Sequence, residues 1–380
     1  MNKAFFVFII CISLLSCKKN TSSELIVFDV TADFPVKALN LEEVADIEYL
    51  VLDVTEDDYL FSYFSTMTDS FIICYRRNEF LFFSRSTGKP VSKVSRFGQG
   101  PEEYGTFQSH PVYSEIKDEL FFVTMSEIRC YTRDGIFKRK FPKVSNTFHV
   151  TAMYDYDDDH LLIHGHCLRE GGMRDTAIML MSKQDGLIDV IPIPVNERLR
   201  PVFWQEIIGG LTMVYSCFPG VRNGRDFLLT DYSSDTVYRF TPERNLIPVL
   251  VRTPSVHKME TKIFLHSWQE TGNYLFFSTQ KIYLDENNLE WPPPKGYLME
   301  KSSGKFFQTN IQSNDYKGKE WVLGPSVIQK TPNEKTGIIV LNTLELHTAN
   351  EENKLSGKLK EVTEHLSEDD EYVFMILKFK

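Results

Sequence analysis

The sequence predicts an all-β protein, a six-bladed β-propeller closed by pairing of its N- and C-terminal strands. Three observations lead there. A strand–turn–strand unit recurs five times along the chain. Nearly every apolar run is short and alternating, with few helical periods. Strand-like segments stand at both ends, where they can complete one further blade.

The segment before Glu24 lies outside this pattern. Lys3 precedes an apolar run over 4–15 that stops before Lys18-Lys19. A charged start, a short apolar core and a small residue at the cut make a cleavable export signal. A membrane-spanning helix would need about 20 apolar residues. Leu14-Leu15-Ser16-Cys17 resembles the lipobox of bacterial lipoproteins. That resemblance implies cleavage between Ser16 and Cys17 and acylation of Cys17. The expected division is a signal peptide at 1–16, a lipidated polar tether at 17–23 and a propeller domain at 24–380.

Within the domain, residues 80–83 lead through Ser86-Thr87-Gly88 into 91–94, and 128–131 lead through Arg133-Asp134-Gly135 into 136–141. Residues 177–181 lead through Gln184-Asp185-Gly186 into 187–193. Residues 236–240 lead through Glu243-Arg244-Asn245 into 246–251, and 297–299 through Ser302-Ser303-Gly304 into 306–311. Gly and Asn best tolerate the positive φ such turns require, so 88, 135, 186, 245 and 304 are the expected turn positions. A recurrence of roughly 50 residues suits a propeller blade. Further runs at 119–124, 160–166, 226–230 and 273–278 can lie beside these hairpins. A blade has two apolar faces and must pack against neighbours on both, so the units arrange around an axis. Alternation at 46–52 and 372–377 marks the strands that close it. Leu359, Val362 and Leu366 recur at helical spacing, predicting a short helix inserted in the last blade. The rival is a sixth hairpin turn at Ser356-Gly357.

The net charge is −10, and −11 once Lys3 is removed with the signal. An acidic chain without a basic cluster argues against nucleic acid and against electrostatic adhesion to anionic lipid. Membrane attachment would rest on the acyl chains at Cys17. Cys74, Cys130, Cys167 and Cys217 remain in the mature chain, and their spacing selects none of the three possible disulfide pairings. Cys74 and Cys130 sit in strand-like runs and read as buried small hydrophobes.

The stretch Arg96-Phe97-Gly98-Gln99-Gly100-Pro101-Glu102-Glu103-Tyr104 resembles a Gly-x-Gly-Pro-Gly-Glu-Tyr loop of six-bladed, NHL-like β-propeller lipoproteins from Gram-negative gut bacteria. Residues 234–239 with Ile247-Pro248, and 368–380, are similar to that family's fourth-blade hairpin and closing strand. Glu102 stands where the family usually has Gly, and Glu371-Tyr372 where Asn-Pro is common. The resemblance implies the fold and an outer-membrane address. Lys18-Lys19-Asn20 lacks the acidic stretch associated with surface export in such bacteria, so the expected orientation faces the periplasm.

Chemistry-bearing patterns are few. In the loop, Gly98, Gly100, Pro101, Glu103 and Tyr104 form a tight turn rather than a phosphate cradle: a dinucleotide fingerprint needs a third glycine where Glu103 stands, and the paired glutamates repel phosphate. Asp155-Tyr156-Asp157-Asp158-Asp159-His160 opens like a calcium loop, but His160 and His166 occupy the positions that need Gly and Glu, leaving a solvated acidic loop. His160, Leu162, His164 and His166 share one face of a strand. His164 and His166 could supply two metal ligands, too few without a third from another blade. Trp291, before Pro292-Pro293-Pro294, could stack on a sugar ring or dock a protein, or pack over the rim. Trp204, Trp268 and Trp321 default to the core. No cofactor is expected and no catalytic residue is assigned. The expected role is a monomeric binding or scaffolding module for a protein, peptide or glycan; the alternative is a propeller lyase or hydrolase acting on a glycan or peptide at the channel mouth.

Overall fold

A computed structural model describes residues 25–54, 57–107, 111–142, 148–168, 174–199, 204–207, 211–214, 220–282, 294–321, 329–330, 336–367 and 370–380. Six antiparallel sheets follow one another along the chain. The first contains Tyr63–Met67, Phe71–Arg76, Glu79–Ser84 and Pro90–Val94; the second Val112–Ser114, Glu119–Val123, Glu127–Tyr131 and Phe137–Pro142. The third contains Phe148–Asp155, His160–Leu168, Arg174–Ser182 and Ile188–Ile191; the fourth Gly220–Asn223, Asp226–Leu229, Thr236–Phe240 and Leu246–Thr253. The fifth contains Lys262–Glu270, Tyr274–Ile282, Lys295–Glu300 and Lys305–Ser313. The sixth contains Gln329–Lys330, Thr336–Asn342 and Tyr372–Phe379, and takes its outer strand, Ala45–Val51, from the other end of the chain. A separate hairpin, Trp204–Ile207 with Leu211–Val214, lies between the third and fourth sheets in sequence. First strands of neighbouring sheets touch one another, so they ring the axis and the fourth strands form the rim.

The core lies between the blades. Phe80 and Phe82 point toward blade two and join Leu120, Phe122 and Tyr131, while Leu81 and Phe83 point the other way and join Ile338, Phe374 and Ile376 of blade six. Equivalent clusters fill the other four interfaces. Period-two alternation therefore buries both faces of each sheet, as predicted for blades around an axis. Cys74 and Cys130 are fully buried free thiols within two of these clusters.

Closure follows the predicted pairing, with Val373 opposite Val51 and Phe379 opposite Ala45. The residues before it hold a feature the sequence reading missed. Ile26–Asp29 adds a parallel fifth strand to blade four, with Ile26 opposite Leu250. Val36–Asn40 does the same on blade five, with Val36 opposite Gln308. Phe28 of the first of these strands and Phe34 between the two enter the blade-four/five slot against Phe277, Tyr297 and Phe306. The short helix Leu41–Val44 then turns the arm into the closing strand.

Two helices, rather than one, interrupt blade six: Thr343–Glu351 and Gly357–Glu364. Asn342 caps the first by accepting bonds from the Leu344 and Glu345 amides. Leu346, Ala349, Leu355 and Leu359 dock on Tyr316 and Trp321 beside the arm residues Leu39 and Leu41. Ser356-Gly357 starts the second helix and is not a hairpin turn. Gly88, Gly135, Gly186 and Gly304 take positive φ in the third-to-fourth-strand turns as expected. In blade four the position falls on Arg244, at φ 63°, and not on Asn245. The Arg244 amide bonds the Thr241 carbonyl as the Gly135 amide bonds that of Thr132, so the two turns share one geometry and Asn245 corresponds to Ile136.

Removing residues 372–380 takes the third strand from blade six and strips the closing strand of its partner. The truncated chain is expected to lose its cooperative thermal transition; a monomeric truncation melting like the full chain would show that closure does not hold the ring.

Candidate functional site

The linker from blade one to blade two, residues 95–107, is pinned from below and open above. Tyr104 is fully buried against Phe80, Phe122 and Tyr131. Its hydroxyl donates to the Asn78 carbonyl (2.7 Å) and to that of Val94 (3.1 Å), tying the linker to the turn between the second and third strands of blade one. Burial pushes the phenol's pKa up, so it stays a donor. The Tyr104 amide bonds the Arg96 carbonyl and the Gly98 amide bonds that of Tyr104.

Glu103 folds back over the loop and accepts from the Gly100 amide at 2.8 Å. A Cβ at Gly98 would stand 1.9 Å from its Oε2, so a side chain there would displace the Glu103 carboxylate from this position. The loop thus satisfies a backbone donor with its own carboxylate, a further obstacle to phosphate. Glu102 does not take positive φ, so a glycine is not required there; its carbonyl accepts from Tyr131 Oη at 2.8 Å. Arg129 reaches the Pro101 carbonyl and forms an ion pair with Glu127, closing the underside.

Among the described residues, three clefts adjoin this loop. One of about 440 Å³ is lined by Arg76, Arg77, Asn78, Glu79, Ser95 and Phe97. A second, about 310 Å³, lies between Arg96, Gly100–Glu103 and Gly135–Phe137. A third, about 190 Å³, runs beside Gly98–Gly100, Thr124–Glu127 and Arg129. Each carries one exposed apolar side chain: Phe97 (52% exposed), Ile136 (61%) and Met125 (69%) respectively. Arg77, at the tip of its turn, has φ 53°. A non-glycine residue in the left-handed region costs about 1–2 kcal/mol. The sequence reading found the loop but missed Arg77, Met125 and Ile136, since exposure and backbone sign leave no local pattern.

The other candidates lie apart from this loop. His164 is buried with Nδ1 2.5 Å from Thr151 Oγ1. The predicted face alternation holds: Leu162 packs toward blade four, Leu161 and Ile163 toward blade two. For His166 and Cys167 only the backbone strand is described. Cys17, Ser16, Cys217 and Trp291 lie outside the described residues. Among the described residues no three His, Cys, Asp or Glu side chains are placed to hold a metal ion. Trp321 is buried in the blade-five/six cluster; the side chains of Trp204 and Trp268 are not described.

The acidic run at 155–160 is only partly solvated. Asp157 caps its own turn, accepting from the Asp159 and His160 amides. Asp155 instead meets the fully buried Lys183 at 2.5 Å, and Lys183 also donates to Ser114 of blade two. Burial raises the pKa of Asp155 while Lys183 pulls it the other way. His266, on the innermost strand of blade five, is buried with Nδ1 unpartnered, and burial lowers its pKa to about 4.

A family model described as a 6-bladed beta-propeller matches residues 16–179. A Bacteroides fragilis protein described as exported is similar in structure over 93% of this chain and 99% of its own, at 14% identity and a TM-score of 0.61. The virginiamycin B lyase of Staphylococcus aureus covers 88% of this chain and 99% of its own, at 9% identity and a TM-score of 0.35. No curated protein matches the chain. The protein is a six-bladed β-propeller. At these identities the likeness to solved structures concerns the fold alone. No helix among the described residues is long and apolar enough to cross a membrane.

Two outcomes are expected. Tyr104→Phe leaves the Asn78 and Val94 carbonyls without their shared donor and should lower stability by about 1–3 kcal/mol by urea denaturation. His266 binds fewer protons folded than unfolded between its lowered value near 4 and the ordinary 6.5. Stability should therefore fall as pH drops through that window, by up to about 1.4 kcal/mol per unit, and His266→Asn should flatten the slope.

Proposed function

We propose that the protein is a binding or scaffolding module, monomeric and held by an acylated Cys17 in the outer membrane with its propeller in the periplasm. The partner is a protein, peptide or glycan received at the 95–107 loop. One observation carries this reading: three clefts converge on a loop rigidified from beneath, and each exposes an apolar side chain at its wall. Clustered exposed apolar groups with polar surroundings mark interaction surfaces. Burial of Tyr104 keeps the loop in one shape, so little ordering entropy is lost on binding. The lipobox-like Leu14-Leu15-Ser16-Cys17 supports the anchor.

The test is co-purification from the native envelope. Cys17→Ala should abolish fatty-acid labelling and membrane fractionation while leaving the melting temperature unchanged. A triple variant, Phe97→Ser, Met125→Ser and Ile136→Ser, should keep the fold and lose the co-purifying partner. Retention of that partner by the triple variant would remove the loop from consideration.

A further inference from the structure

We propose that the cleft beside Phe97 takes an acidic sugar residue, with the Phe97 ring against the C–H face of the sugar and Arg77 on its carboxylate. The proposal rests on the reading of the 95–107 loop as the contact surface and names the ligand class for it.

Charge is distributed unevenly around this cleft. Arg76 is already engaged, donating to Glu79 (3.2 Å) and to the Asp58 carbonyl (3.1 Å). Glu79 accepts in addition from Ser95 Oγ at 2.7 Å. Arg77, the next residue, has no carboxylate partner among the described residues. Arg96, the residue before Phe97, belongs to the neighbouring cleft and gives its Nε to the Gly135 carbonyl (3.1 Å). One uncompensated guanidinium, that of Arg77, thus shares the cleft with an exposed aromatic ring on a chain whose net charge is −10.

Conformation points the same way. Arg77 is held in the left-handed region, where glycine would be unstrained, and strained side chains of this kind gather at ligand sites. Its turn is fixed to the loop by the Tyr104–Asn78 bond, so Arg77 and Phe97 keep their relative places without ligand. Phe97 pairs through its backbone with Tyr104, and its ring has no aromatic neighbour among the described residues. The cleft volume falls within the roughly 300–1,000 Å³ usual for small-ligand sites.

These features select among ligands. An arginine fork matches a carboxylate, and an open aromatic face suits the apolar side of a sugar ring. Asn78 and Ser95 on the wall offer polar atoms for hydroxyl groups. A dense polyphosphate or nucleic acid would meet Glu79 in the cleft and Glu102 and Glu103 beyond it; a glycan with one carboxylate per ring places an isolated charge against the single unpaired Arg77. An extended peptide draws affinity from main-chain pairing along a sheet edge, whereas this wall presents side chains.

The experiment is calorimetric titration of the detergent-solubilised full-length mature protein with oligogalacturonate. Arms use a neutral glucan oligomer of equal length and an acidic peptide. Oligogalacturonate should bind with an affinity that falls as salt rises, and the neutral oligomer should bind at least about tenfold more weakly. Arg77→Gln and Phe97→Ala should each lose about tenfold or more, with Phe97→Tyr retaining binding. Arg77→Gly separates ligation from strain: it should raise the melting temperature and lose binding. Equal binding of the neutral oligomer, preference for the peptide, or no binding of oligogalacturonate would each overturn the proposal. If the triple loop variant still loses its native partner in those cases, the loop surface stands and only the sugar class fails.

Discussion

Each blade is a small sheet with two apolar faces, and this determines everything else. Such a sheet is stable only when another covers it on both sides, so the structure must return to its start. The return is made by Ala45–Val51 lying on Tyr372–Phe379, strands from opposite ends of the chain. Blade six is therefore assembled from both chain ends. Its core residues Ile338, Phe374 and Ile376 complete the packing of Leu81 and Phe83 in blade one. Loss of this pairing would expose two faces at once.

A ring of wedge-shaped gaps has to be filled as well as closed, and the chain fills them with its connections. Tyr104 and Phe107 of the first linker enter the gap between blades one and two. Ile193 and Val195 occupy the gap between three and four. The N-terminal arm supplies Phe28 and Phe34 to the next gap and Leu39, Leu41 and Val44 to the one after. A linker that is anchored by large buried side chains can hold the rest of itself at the surface in one conformation. That is how an irregular segment such as 95–107 gains the rigidity a recognition surface needs.

Much of this was legible in the sequence where the cause was local. Turn glycines declared themselves because positive φ restricts residue choice, and alternation declared the blades because both faces are apolar. Arg244 was not legible, since its turn geometry overrides its residue preference. Neither was the arm: parallel pairing of Ile26–Asp29 with Leu250–Thr253, a partner distant in sequence, leaves no local mark. The helix at Leu359 and Val362 showed its period, while Thr343–Glu351 buries only Thr343, Leu346 and Ala349 and reads as a polar stretch. In the candidate site the glycine-rich loop stood out by residue type, but the clefts depend on Arg77, Met125 and Ile136 brought to it by other turns. Lys183 reads as a solvated lysine in a polar turn; its burial comes from Ser114 and Asp155 in two different blades.

Charged and polar bonds between blades, some buried and some half-buried, give the molecule two unlike ends. At the end bearing the first-to-second-strand turns, Arg139 donates to the Lys183 carbonyl, and Lys183 reaches Ser114 and Asp155. Arg222 contacts the Asp155 and Tyr156 carbonyls, and Tyr156 returns a bond to Thr241. Glu270 joins Arg239 and Asn223 of blade four to Lys301 of its own blade, and the Gly272 amide meets the Lys380 carbonyl. These bonds run continuously from blade two to blade six. Desolvation offsets much of what buried and half-buried ion pairs contribute to stability, so their main effect is geometric: those that cross between blades tie neighbouring sheets together. Stitching that end leaves the second-to-third-strand turns and the linkers free to diverge. The turn bearing Arg77 and the linker bearing Phe97 lie at this opposite end, where surface shape is set by individual side chains rather than by the ring's own cohesion.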